Sequence, residues 1–179
     1  MNAEALPAPV TDSEWDYLCK RRFDIKVRTL TNRLYQQERQ RIMERREGLM
    51  KAASLVAGSV AFASIVDPSI VKVCVAVIFL GTAGSLVFGW GTKARDAAKR
   101  AAEWIGIDRD IDKAGARRFT EVELDDWAAR CNEVEAGEPA PNPALLERSF
   151  QRACESLGCD IPAGRTKVYM GWRPMMQIP

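Results

Sequence analysis

Residues 52–92 carry only two charged side chains, Asp67 and Lys72, and basic clusters flank them on both sides. Residues 20–51 hold eleven bases and four acids, and residues 93–100 hold four bases and one acid. An apolar stretch this long between cationic flanks restricts the chain to few folds, because its helices would expose hydrocarbon on every face. It divides into two runs, Leu49 to Val66 and Ile70 to Trp90. As helices these runs would reach roughly 27 and 31 Å, close to the hydrocarbon thickness of a bilayer. Val66-Asp67-Pro68-Ser69 lies between them and reads as a stop and restart, so the pattern predicts a tight transmembrane hairpin over residues 52–91. Arg39, Arg41, Arg45, Arg46 and Lys51 precede it, and Lys93, Arg95, Lys99 and Arg100 come after it. The positive-inside rule then places both termini in the cytoplasm. The alternative, a buried hairpin of a soluble protein, needs more cover than the remaining residues offer. The first twenty residues hold Glu4, Asp12, Glu14 and Asp16 and no apolar core, so they are not expected to be a signal peptide.

The expected fold is an all-α membrane protein, with the hairpin flanked by cytoplasmic helices. Residues 1–51 form the basic N-terminal part. Thr11 to Arg46 reads as one long helix, broken at most once, capped by Asp12 or Ser13 and continuous with the first span. Phe23, Val27, Leu30 and Leu34 mark its apolar stripe. Residues 92–162 form the second cytoplasmic part. Its first helix, Thr92 to Ile105, presents Ala94, Ala97, Ala98, Ala101 and Ile105, and Gly106 and Gly115 punctuate the stretch around Ile107 to Lys113. Thr120-Glu121-Val122-Glu123 is a capping box, and Leu124, Trp127, Ala128, Cys131 and Val134 lie on one face of the helix it opens. Asn142-Pro143 suits the start of a last helix lined by Leu145, Leu146, Phe150, Ala153 and Leu157, which Gly158 closes. The tail, residues 163–179, fits no element; within it Val168 to Trp172 reads as a short strand or a docking segment.

The chain has no His among its 179 residues, which removes His-based triads and the usual zinc sites. Its five cysteines form neither a disulfide ladder nor a Cys-x-x-Cys pair, and no nucleotide-binding loop is present. No catalytic constellation emerges, so the chain is not expected to be an enzyme, and no cofactor or metal is expected.

The order of elements resembles the SLATT domain family, the SMODS- and SLOG-associating two-transmembrane effectors. The resemblance covers residues 15–158. Its most specific part is Thr120-Glu121-Val122-Glu123-Leu124-Asp125-Asp126-Trp127, followed by Arg130 and Val134-Glu135-Ala136-Gly137-Glu138-Pro139. It implies a pore-forming effector of a bacterial antiphage system in the inner membrane. Such an effector would be gated by a nucleotide or oligonucleotide signal from an associated nucleotidyltransferase, and would stop growth or kill the cell. The competing function is a non-conducting anchor or scaffold that recruits a cytoplasmic partner.

A two-span hairpin encloses no water path alone, so conduction requires a homo-oligomer, with a tetramer as the first expectation. Gly81, Ser85 and Gly89 form a small-residue ladder on the second run, and Ala53, Ala57 and Ala61 form one on the first. Ser54, Gly58, Gly81, Thr82, Ser85, Phe88 and Gly89 are the candidate pore or packing residues, with Phe88 at an apolar constriction. Arg21, Arg22, Lys26, Arg28 and Arg33 lie too far from the bilayer for lipid attraction to explain them. They either pair with the acidic stretch at 101–162, which holds fourteen acids and seven bases, or bind an anionic nucleotide or oligonucleotide.

Overall fold

The computed structural model describes residues 11–63 and 68–161, all of whose regular structure is helical. Five helices occur in order: α1 (Asp12–Ala63), α2 (Pro68–Phe88), α3 (Trp90–Ala114), α4 (Glu121–Ala136) and α5 (Pro143–Leu157). The turn at 66–67, the end of the first apolar run and the tail lie outside the described residues.

α1 is a single helix of 52 residues that runs from the basic segment into the first apolar run without a break. Its cap differs from expectation: the Thr11 hydroxyl, rather than Asp12 or Ser13, accepts the Glu14 amide at 3.3 Å. The buried line along α1 also differs. Phe23 is exposed, and Val27, Leu30 and Leu34 are only half-buried. The line that is buried runs through Leu18, Ile25, Thr29, Gln36 and Met43. The spacing of seven, four, seven and seven keeps these residues on one side of the helix. The line was hidden because two of its members are polar. Thr29 turns its hydroxyl back onto the Ile25 carbonyl at 2.8 Å, which lets it pass as an apolar neighbour.

Against this line packs α3, through Ala94, Ala97, Ala101, Trp104, Ile107 and Ile111. The small alanines permit close approach next to the apolar pair, and the larger residues fill the far end of the interface. Ile105, expected on this face, is instead exposed. Gly106 does not end the helix either, because the buried residues on each side of it hold the turn together. A Cβ added at Gly106 would meet nothing within 4 Å. Gly106→Ala should therefore raise stability by about 0.5–1 kcal/mol, read as a higher melting midpoint by circular dichroism in detergent.

The core gathers Leu18 and Ile25 of α1, Trp104, Ile107 and Ile111 of α3, Phe119, and Leu124, Trp127 and Cys131 of α4. α4 begins as its sequence indicates. Thr120 Oγ1 accepts the Glu123 amide at 3.3 Å, and Glu123 accepts the Thr120 amide at 2.7 Å. The Trp104 indole donates to Glu138 just past the end of α4, at 2.8 Å. At α5, Asn142 caps the Ala144 and Leu145 amides at 3.1 and 3.2 Å, and the left-handed Gly158 closes the helix. α5 lies along α1: the Asn142 amide donates to the Tyr35 hydroxyl at 3.0 Å, and Arg148 and Arg152 both approach Glu38 at 3.8 Å.

Candidate functional site

α2 is the apolar element of the fold. The helical segment that begins at Pro68 contains an 18-residue window of mean hydropathy 2.2, of which 11% is buried. Among the described residues it is the one helix long and apolar enough to cross a membrane. Phe79 and Leu80 are 70% and 67% exposed, and Leu86 and Val87 are each 79% exposed. On α1, Leu49, Leu55 and Val56 are exposed as well. The described part of the first apolar run stops at Ala63.

α2 meets α1 along a line of small residues. A Cβ placed on Gly81 would lie 2.8 Å from Ser54 Oγ and 3.5 Å from the Met50 methyl. A Cβ on Gly58 would lie 3.9 Å from Ile78. Residues 54 and 58 ascend on α1 while 81 and 78 descend on α2, so the two helices are antiparallel. Cys74 and Gly81 are the buried positions of α2. Beside this seam opens a cleft of about 480 Å³ lined by Met50, Ser54, Leu55, Gly81, Thr82 and Ser85, with Lys51 at its edge. Four of the seven candidate pore or packing residues, Ser54, Gly81, Thr82 and Ser85, thus share one concavity. Thr82 returns its hydroxyl to the Ile78 carbonyl at 2.8 Å, which satisfies the donor within its own helix.

The other three candidates lie elsewhere. Gly58 packs on Ile78 in the seam. Phe88 stacks on Trp90, with ring centroids 5.2 Å apart. Gly89 has φ +56 and breaks the helix between α2 and α3. Sequence reasoning passed over Met50, whose methyl group reaches Gly81 from one turn before Ser54. It also passed over Gly91, where a Cβ would fall 2.6 Å from a Glu47 carboxylate oxygen. Glu47 in turn bridges to Lys51 at 2.6 Å, so Gly91 lets a charged pair pass between α1 and α3 at the base of the apolar helices.

The contact at Gly81 is testable. Gly81→Ala should destabilise by about 1–3 kcal/mol through overpacking, and Ser54→Ala in the same chain should recover most of that loss. The check is thermal unfolding of both variants in one detergent.

The five basic candidates of α1 all face α3 and α4. Arg21 Nη2 donates to Asp125 at 2.5 Å. Lys26 pairs with Asp112. Arg28 grips Glu135 through Nε and Nη2 at 2.7 and 2.5 Å and reaches Asn132 at 2.8 Å. Arg33 Nη1 lies 3.1 Å from Asp108. Arg22 donates to the Ile111 carbonyl at 3.0 Å and lies over the Phe119 ring, 5.3 Å from its centroid. Of the two readings open in the sequence, this is the geometry of pairing with the acidic stretch. The hydrogen bond from Arg21 to Asp125 raises that guanidinium above its ordinary pKa, and the bond to Glu135 does the same for Arg28. Arg130, hydrogen-bonded to Asp110 at 2.9 Å, holds that carboxyl below the usual range. Burial pushes the Cys131 thiol up, so it behaves as a small apolar side chain.

No family model, curated protein or solved structure matches the chain.

Proposed function

We propose that the chain is a two-pass inner-membrane protein of the SLATT type, in which copies of the α1–α2 hairpin assemble around a pore and both termini stay in the cytoplasm. The exposed apolar girdle of α2 carries the reading. Side chains such as Val73, Phe79, Leu80 and Leu86 are left uncovered by the described residues, and hydrocarbon is the solvent that tolerates them. The cleft at Ser54, Thr82 and Ser85 supplies the weakly polar strip that a lumen formed by several copies requires. The basic clusters before the first apolar run and after the second lie on one side of such a hairpin and suit an anionic cytoplasmic leaflet. Such an effector would arrest or kill an infected cell by dissipating the ion gradients.

In this reading a phosphate-rich signal acts by competition. It would exchange with Asp125, Asp112, Glu135 and Asp108 for the cations of α1, loosening α3 and α4 from the helix that enters the membrane. The same ion pairs favour a second reading, a non-conducting scaffold, because the cations are already met by carboxylates of their own chain.

Liposomes loaded with a self-quenching dye or potassium separate the two. A pore former releases them, and Ser85→Leu reduces the release by narrowing and dewetting the weakly polar strip. A scaffold leaks nothing with any nucleotide added. Arg28→Glu with Arg33→Glu tests the signal: nucleotide binding and gating unchanged by this reversal would remove the basic face as the receptor.

A further inference from the structure

One carboxylate of α1 is shared by three guanidinium groups. Glu38 Oε2 lies 3.5 Å from Arg41 Nη1 and 3.8 Å from Arg152 Nη1, and Glu38 Oε1 lies 3.8 Å from Arg148 Nη1. Farther along α1 the arrangement differs: Arg21, Lys26, Arg28 and Arg33 each meet a different carboxylate, none farther than 3.1 Å. The Glu38 side chain is enclosed, at 17% exposure, whereas those of Arg41 and Arg152 are 63% and 44% exposed. Arg148 has a further contact of its own, so Arg41 and Arg152 are the two that keep donors in solvent.

The spacing of these residues sharpens the imbalance. Arg148 and Arg152 stand one turn apart on α5, and Arg41 and Arg45 one turn apart on α1, and like charges at that spacing work against a helix. Arg45 is exposed and makes no ion pair among the described residues. The neighbouring acids do not offset the surplus. Glu44 accepts the Gln40 side-chain amide at 2.7 Å, and Glu155, three positions after Arg152, makes no ion pair among the described residues. Two guanidinium groups that reach one oxygen are close enough for a single phosphate to bridge them, and their planar forks suit its oxygens. Arg45, one turn on from Arg41, suits a second phosphate of the same ligand.

We propose that Arg41 and Arg152, with Arg45 beside them, bind the di- or triphosphate group of a soluble anion. Glu38 holds the two arginines together across α1 and α5, and the anion takes the donors that Glu38 leaves. Binding would then tie α5 to the helix that carries the first apolar run. The site is separate from the cations at Arg21 to Arg33, which have partners in α3 and α4. The choice of a soluble phosphate over a lipid headgroup rests on the membrane reading: Arg41 precedes Lys51 by about 15 Å of helix, and a headgroup layer is about 5–8 Å deep. The site itself does not depend on that reading.

The test is calorimetric titration of the full chain in non-ionic detergent with inorganic tripolyphosphate, at about 0.15 M salt so that diffuse attraction is screened. Arg41→Gln with Arg152→Gln should weaken binding about tenfold or more. Glu38→Gln keeps both arginines and a hydrogen-bond acceptor while removing the competing charge, so it should tighten binding about threefold, a gain that misfolding cannot produce. Lys99→Gln with Arg100→Gln removes the same charge from α3 and should leave the affinity within about twofold. Equal losses in the two double variants would mean a diffuse field and an adventitious ion only, and would overturn the proposal. So would the absence of binding to the parent chain, or a Glu38→Gln affinity no better than the parent's. Phosphatidylglycerol added to the micelle should raise the melting midpoint equally in the parent and in the Arg41→Gln, Arg152→Gln chain. A gain confined to the parent would give the site to lipid headgroups and overturn the soluble ligand, whereas failure of the membrane reading would leave the titration unchanged.

Discussion

Trp104→Ala will cost about 3–5 kcal/mol, the usual loss for deleting a buried tryptophan. The side chain is fully buried where α1, α3 and α4 meet, among Ile107, Ile111, Leu124 and Trp127. Its removal also deprives Glu138 of the indole donor at 2.8 Å. Folded domains have roughly 5–15 kcal/mol in total, so this single change consumes a large share of the stability of the bundle. Trp104→Phe should be milder, because it keeps most of the packing and gives up the hydrogen bond. Chemical denaturation with circular dichroism as the readout measures both. A Trp104→Ala midpoint within about 1 kcal/mol of wild type would mean that the core is not organised around this residue.

The second large effect concerns α2. Phe79→Arg and Leu80→Arg together should prevent stable insertion, because each arginine costs about 2.5–3.5 kcal/mol near the centre of a span. Their exposure of 70% and 67% makes the experiment decisive in sign. In water, charge at two such exposed positions would relieve an apolar patch and improve solubility; in lipid it is ruinous. Flotation of membranes on a density gradient reads the difference. A doubly substituted chain that still floats with the bilayer, as abundant as wild type, removes α2 from the hydrocarbon.

The local signals in the sequence were dependable where they rest on chemistry within one turn. The Thr120–Glu123 capping box, the Asn142-Pro143 start and the Gly158 stop each appear where their side chains or backbone dictate. The long α1 was legible because no proline or glycine pair interrupts it near the membrane run. What could not be read depends on partners far away in sequence. The buried line of α1 passes through Thr29 and Gln36, which look like surface residues in the sequence but are fully buried in the bundle, Thr29 against the Cys131 thiol. Gly106 resembles a boundary, but packing on both sides overrides its propensity. The acids that meet Arg21 and Arg28 lie 104 and 107 positions away, so charge counting found the two groups without matching their members. Within the apolar helices, small-residue spacing brought Ser54, Gly81, Thr82 and Ser85 to one cleft. It did not separate them from Gly58, which packs in the seam, or from Gly89, whose role is a change of backbone hand.

The two connections between the bundle and the apolar helices differ mechanically. α1 is one rod of about 78 Å, so the helix that carries Arg21 is also the helix that carries Ser54. α2 and α3 are joined at a single left-handed glycine, across which the Phe88 and Trp90 rings stack. The bundle is therefore tied to the apolar helices by one uninterrupted helix on one side and by a change of backbone hand on the other.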